Sequence, residues 1–243
     1  WFFKGAGDAG SSDCTPFPTC GVDGSSEAQL SVHFATSSPW VTSVGGLEYA
    51  GTGGRLEGEA RVWNEKPADG SGSTNCAGGG GGESTIFARP AFQDRVPGGA
   101  VPTMRGVPDI AGLAGAPGYL TLKPPTQSTP TWHWMSTGGD SLAGPMYAGA
   151  FASLRTALVA NGTAPPTHVN PMLYGLANDP TTYAAVFSDV TRGDNVLYPR
   201  DPRVVGHHLA TVGYDLTSGL GEVHMGRLLA ALTVRPSPPH FTG

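Results

Sequence analysis

Apolar residues along the chain come in short clusters divided by glycine, proline and small polar residues. Trp1-Phe2-Phe3-Lys4 reads as a short buried strand that ends in the turn Gly5-Ala6-Gly7-Asp8-Ala9-Gly10. A second strand is expected at Trp40–Val44, closed by Gly45-Gly46, and a third near Leu47–Tyr49; Val107–Ile110 reads as a strand end. The clearest helical pattern runs from Leu142 to Val159 and stops at Asn161-Gly162, before Pro165-Pro166. Further helices are predicted at Met172–Ala177 and Met225–Leu232. Asp69 to Glu83 is almost all glycine or small residues and reads as a loop, and the tail beyond Arg235 is proline-rich and extended. Short strands alternating with helices predict an α/β fold built on a mostly parallel sheet. No internal repeat or linker divides the chain, so residues 1–243 are read as one domain.

Gly138 to Pro145, Gly-Gly-Asp-Ser-Leu-Ala-Gly-Pro, puts Ser141 behind two glycines and at the head of a small-residue helix. Glycines let the backbone turn sharply and expose the next side chain. The start of a helix aims free N–H groups and the positive end of its dipole at the same spot. A nucleophile there would have its oxyanion stabilised as it forms. The plainer reading is a turn with a serine cap.

Composition narrows the field. Glycine (37) and proline (22) are abundant and charged residues make up only 14%, which describes a loop-rich globular protein. The net charge of -5 and the lack of a basic cluster argue against a nucleic-acid partner. No apolar run approaches the length of a membrane span, and no signal-peptide pattern is read. Cys14 and Cys20 are close enough to close a small loop, a spacing that does not fix a bond; Cys76 would then be an intermolecular bridge or a free thiol. Asn161-Gly162-Thr163 is a glycan acceptor sequon. Together these lean toward a secreted, extracellular protein or an acidic lytic compartment such as the lysosome or vacuole.

Five segments in order carry a resemblance. Phe34 to Gly46 (FATSSPWVTSVGG) resembles the "FPASSPYVTSVGG" segment of the sedolisins, the serine-carboxyl peptidases. Gly80 to Gln93 resembles their "GGGFSxxFxxPxxQ", Arg105 to Ala111 their "RGVPDVA", and Gly213 to Gly221 their "GWDPVTGLG". Gly139 to Pro145 matches "GTSxxxP" except at Asp140. The resemblance implies a subtilisin-like α/β fold, of which this chain is the C-terminal portion, and hydrolysis of peptide bonds in acid as an endopeptidase or tripeptidyl peptidase. Ser141 would be the nucleophile, which needs a base to take its proton. In sedolisins that base is a glutamate backed by an aspartate. A further aspartate, in a "GDSG"-like turn, takes the oxyanion position, and Gly7-Asp8-Ala9-Gly10 matches it, so Asp8 is the expected residue. A partly buried carboxyl with a raised pKa can donate a hydrogen bond while neutral; the bland alternative for Asp8 is an Asx turn.

The resemblance also implies one structural calcium. Phe187-Ser188-Asp189-Val190-Thr191 is similar to the family's "FxDIT". Asp189 and Asp215 would supply charge and the carbonyls of Val190, Thr211 and Gly213 the remaining oxygens, a set that suits a hard cation. Asp194 and Asp201 fit no matching position.

Two departures stand out. The family's Glu-x-x-x-Asp helix precedes the strand that here starts at residue 1, and Glu48, Glu57, Glu59, Glu65 and Glu83 all lie downstream. The base is therefore expected from a missing N-terminal segment or a second polypeptide, tethered through Cys76. Asp140 replaces a threonine; ionised, it would oppose an oxyanion beside it, and protonated it would be harmless. A catalytically inactive binding or structural module in an extracellular assembly is the rival reading. Asp140-Ser141 also suggests the "GDSGGP" loop of chymotrypsin-like proteases, but the following helix and the late proline disfavour an all-β fold. His207-His208 points its side chains apart, and His33, His133, His168, His224 and His240 share no ligand spacing. They read as surface or hydrogen-bonded core residues; Trp132 and Trp134, which flank His133, read as core packing, with the lining of a substrate cleft as the alternative.

Overall fold

In a computed structural model of the chain, residues 1–13, 30–49, 58–65, 77–197 and 208–233 are described. Cys14, Cys20, Cys76, Glu57, Asp201, His207, His240 and the tail beyond Arg235 lie outside these residues.

β1 (Phe3–Gly5) runs parallel to β2 (Thr42–Tyr49), with Phe3 opposite Thr42 and Gly5 opposite Val44. The far half of β2 pairs antiparallel with β3 (Ala60–Val62). The expected break at Gly45-Gly46 is absent. β2 passes straight through the glycine pair, because Pro108 packs on Gly45 and Trp63 and Asp140 pack on Gly46 where a side chain would have no room. β4 (Gly82–Ala88) and β5 (Met104–Val107) form an antiparallel pair, and β6 (Ile110–Leu113) then joins β2 in parallel. β7 (Tyr119–Lys123) and β8 (His133–Thr137) form an antiparallel hairpin that leads into α1 (Asp140–Ala160). α2 (Val169–Ala177), α3 (Pro180–Val186), the short pair β9 (Phe187–Ser188) and β10 (Glu222–Val223), and α4 (Met225–Thr233) complete the described elements. The centre is the expected α/β arrangement with parallel strands; the antiparallel pairs around it make the sheets mixed overall.

α1 explains how the core is built. Ala143, Gly144, Tyr147, Phe151, Leu154 and Leu158 recur at helical spacing and are buried. Phe151 meets the ring of Phe3 at 4.8 Å and that of Trp1 at 6.2 Å, edge-on. Gly144 lets α1 approach β1 closely, since a Cβ there would sit 2.7 Å from Gly5 N. That approach fixes the head of α1 against the turn after β1.

The "RGVPD" segment is an interior clamp. Arg105 and Asp109 are fully buried and joined in bidentate fashion, Nη1 to Oδ1 at 2.7 Å and Nη2 to Oδ2 at 2.6 Å. Ser43 N–H and Tyr174 O–H also donate to Asp109, at 2.8 and 3.0 Å. Removing one partner would leave the other charge uncompensated in the interior. No helix among the described residues is long and apolar enough to cross a membrane.

Candidate active site

Ser141 is the second residue of α1 and is exposed. Its loop is shaped by Gly139, whose φ of 105° lies in the region that favours glycine. Gly139 N–H donates to Ala114 O at 2.7 Å and its carbonyl accepts from Leu142 N at 2.9 Å, which pins the turn to the end of β6. Gly139 offers no side chain to cap the helix. Asp8 does so from another element, its Oδ1 accepting the Asp140 N–H at 2.8 Å. Pro145 has no N–H to offer the Ser141 carbonyl one turn back, which keeps this first turn loosely bonded.

Asp8 and Ser141 line the same open cleft of about 450 Å³, with Lys4, Asp13, His33, Asp140 and Pro145. Burial raises the Asp8 carboxyl above its usual range, against the lowering effects of the Asp140 N–H and the charge of Lys4. Asp13 is raised by burial too, and its strongest opposing influence is His33. Nothing in the sequence points to Asp13 as part of the cleft. Asp13 follows the matching turn by three residues, and His33, a half-buried residue whose Nδ1 accepts from Ala35 N–H, lies on the wall of the cleft.

Asp140, which would oppose an oxyanion beside it if ionised and be harmless if protonated, is the first residue of α1. Its side chain is 0% exposed and lies against Gly46 and Gly80. Burial, then the charge of Asp8, holds it well above the usual carboxylate range.

The described glutamates are engaged elsewhere. Glu48 pairs with Arg61 at 2.8 Å and Glu59 with Arg192 at 3.0 Å. Glu65 accepts from Trp63 Nε1 at 3.0 Å, and Glu83 from Met104 N at 2.9 Å. Among the described residues none of them lines the serine cleft.

The proposed calcium ligands converge on one loop. Asp189 Oδ2 accepts from Gly213 N at 2.8 Å, and Asp215 Oδ2 from Thr211 N at 2.8 Å. Asp215 Oδ1 also accepts from the backbone of Thr217 and Ser218. Val190 is buried next to Asp189. No cluster of three or more His, Cys, Asp or Glu side chains forms among the described residues, so further ligands here would be backbone oxygens. Asp194 accepts from Asn64 Nδ2 and Val196 N.

Trp132 and Trp134 overturn the expectation of core packing. Each is 63% exposed, because the β7–β8 hairpin carries them away from the core. His224 bonds Ser188 Oγ at 2.8 Å, and His168 stacks on Trp40 at 5.2 Å, the structural roles expected of them.

No protein-family model matches the chain. Tripeptidyl-peptidase sed5 of Aspergillus fumigatus is 29% identical over 219 residues, 85% of this chain and 35% of that protein. Xanthomonalisin of Xanthomonas sp. is 29% identical over 243 residues, 93% of this chain and 26% of that protein. Pseudomonas sedolisin, a serine-carboxyl proteinase solved in complex with two molecules of pseudo-iodotyrostatin, superposes with a TM-score of 0.67 at 28% identity, over 93% of this chain and 54% of that one. The chain is similar to sedolisins over nearly all of its length. Its fold is accordingly the subtilisin-like α/β fold of that structure. The chain spans about a third or less of the length of these two relatives. A sedolisin relationship gives no support to a separate second polypeptide and does not favour the inactive-module reading.

Proposed function

We propose that residues 1–243 are part of a sedolisin-like peptidase domain that hydrolyses peptide bonds in acid, with Ser141 as nucleophile. The observation that carries this is the hydrogen bond from Asp140 N–H to Asp8 Oδ1, which places Asp8 at the head of the helix bearing Ser141, on one cleft. Ser141 Oγ attacks the scissile carbonyl. The negative charge that develops on the carbonyl oxygen meets the N–H end of α1, and a protonated Asp8 donates a second hydrogen bond to it. Burial favours that protonated form, which suits acid conditions. The proton of Ser141 passes to a glutamate, backed by an aspartate, outside the described residues. The relatives named as tripeptidyl-peptidases and the sedolisin structure support this assignment.

Calcium would be held by Asp189 and Asp215 with the carbonyls of Val190, Thr211 and Gly213. The donor set is all oxygen and the two carboxylates grip the same loop, which suits a hard cation. Its role would be to neutralise those carboxylates and brace the 211–215 loop. Secretion is the matching destination, where Asn161, exposed at the end of α1, would be open to glycosylation.

A serine-directed fluorophosphonate tests the assignment. In the complete protein at pH 4 the adduct is expected on the peptide containing Ser141. Labelling of a different serine, with loss of peptidase activity, would overturn it.

A further inference from the structure

We propose that the Asp140 side chain is a positioning group: it seats the head of α1, and with it Asp8 and Ser141, only while it carries its proton. The proposal concerns a position where this chain departs from the sedolisin pattern, and its activity arm rests on the peptidase reading above. Asp140 opens α1 and does two separate things. Its backbone N–H holds Asp8, and its carboxyl is fully buried at the head of the helix.

That setting suits a neutral group. Oδ2 takes a long hydrogen bond from Gly80 N–H, at 3.4 Å, and the Gly7 N–H lies close enough to give the charged form some further support. Oδ1 is buried without a hydrogen-bond partner and faces Gly46 of β2, where a Cβ would collide with it. The titratable groups around it are Asp8 and Asp13 from the turn after β1, with Lys4 of β1 and His33 on the rim of the cleft and Glu65 beyond Asp8. Among the described residues no lysine or arginine forms an ion pair with Asp140. An ionised carboxylate there would be desolvated, thinly hydrogen-bonded and repelled by Asp8 and Asp13. The helix dipole acts the other way, but it is a weaker influence than complete burial. The simplest relief is for the first turn of α1 to move outward. That movement breaks the Asp140–Asp8 hydrogen bond and misplaces Ser141.

The sign follows from the raised folded-state value. Stability from Asp140 is fully present below the unfolded value near 3.8 and is lost as pH rises through the folded one. Thermal melts of the complete protein between pH 4 and pH 7, wild type against Asp140→Asn, read this directly. The wild-type melting temperature should fall by about 3 °C or more beyond the fall in the variant. Parallel curves would overturn the proposal. If Asp140→Asn does not fold, Asp140→Thr, the residue of the family pattern, carries the same comparison. The activity arm is the ratio of kcat at pH 6.5 to kcat at pH 4, which should rise about tenfold or more in the variant. An unchanged ratio in an active enzyme would also overturn it. The melts decide the matter even if the peptidase reading fails, because they require no turnover.

Discussion

Asp8 and Asp140 are 132 residues apart in sequence, yet the backbone N–H of one donates to the carboxylate of the other at 2.8 Å. This bond joins the turn after β1 to the first residue of α1, so the proposed oxyanion group and the proposed nucleophile are placed by one contact. Asp8→Ala removes both the cap and the oxyanion donor. It is expected to lower kcat by about 10²–10³ with KM little changed, and to cost about 1 kcal/mol of stability. Steady-state kinetics at pH 4 and a denaturant melt check the two effects.

The head of α1 is held from below by packing on β1. Phe151, fully buried between Trp1, Phe3 and Tyr147, is the centre of that contact. Phe151→Ala should destabilise the fold by about 3–5 kcal/mol, read from chemical denaturation. A loss under about 1 kcal/mol would mean that α1 is not anchored there.

The serine loop was legible because its residues are local: two glycines, a serine and a small-residue helix adjoin in sequence. The Gly45-Gly46 pair was misread because its reason is remote. Pro108 and Asp140 arrive from other parts of the chain and need the space a side chain would take. The β7–β8 hairpin escaped notice because Leu120, Leu122 and Trp134 face outward, so its strands carry no buried stripe to mark them. The signal for α3 was present in Asp179-Pro180, where Asp179 accepts from Thr182 N at 2.7 Å and proline opens the helix. Local motifs pointed to Ser141 and Asp8, which the fold brings to one cleft. The surroundings of Asp13, His33 and the buried Asp140 depend on tertiary contacts that spacing does not encode.

Acid should stabilise this protein. Burial raises Asp8, Asp13 and Glu48 above their usual values. Each contributes stability that is complete below the unfolded values, near 3.8 for the aspartates and 4.5 for the glutamate, and lost as pH rises through the folded ones. The melting temperature is therefore expected to be higher at pH 4 than at pH 7. A higher value at pH 7 in wild-type protein would contradict this account of the cleft.

Calcium removal supplies an independent check on the second site. Chelation at pH 6 should lower the melting temperature by several degrees, restored by added calcium. Asp189→Ala should abolish that calcium response. A wild-type melt indifferent to chelator and calcium would rule out a stabilising ion held by Asp189 and Asp215.

Ser141→Ala in the complete protein removes the proposed nucleophile and nothing else. Cleavage of a peptide substrate at pH 4 is expected to fall to background while circular dichroism and the melting temperature match wild type, since Ser141 is exposed. Undiminished acid cleavage by the folded variant would show that Ser141 is not the nucleophile.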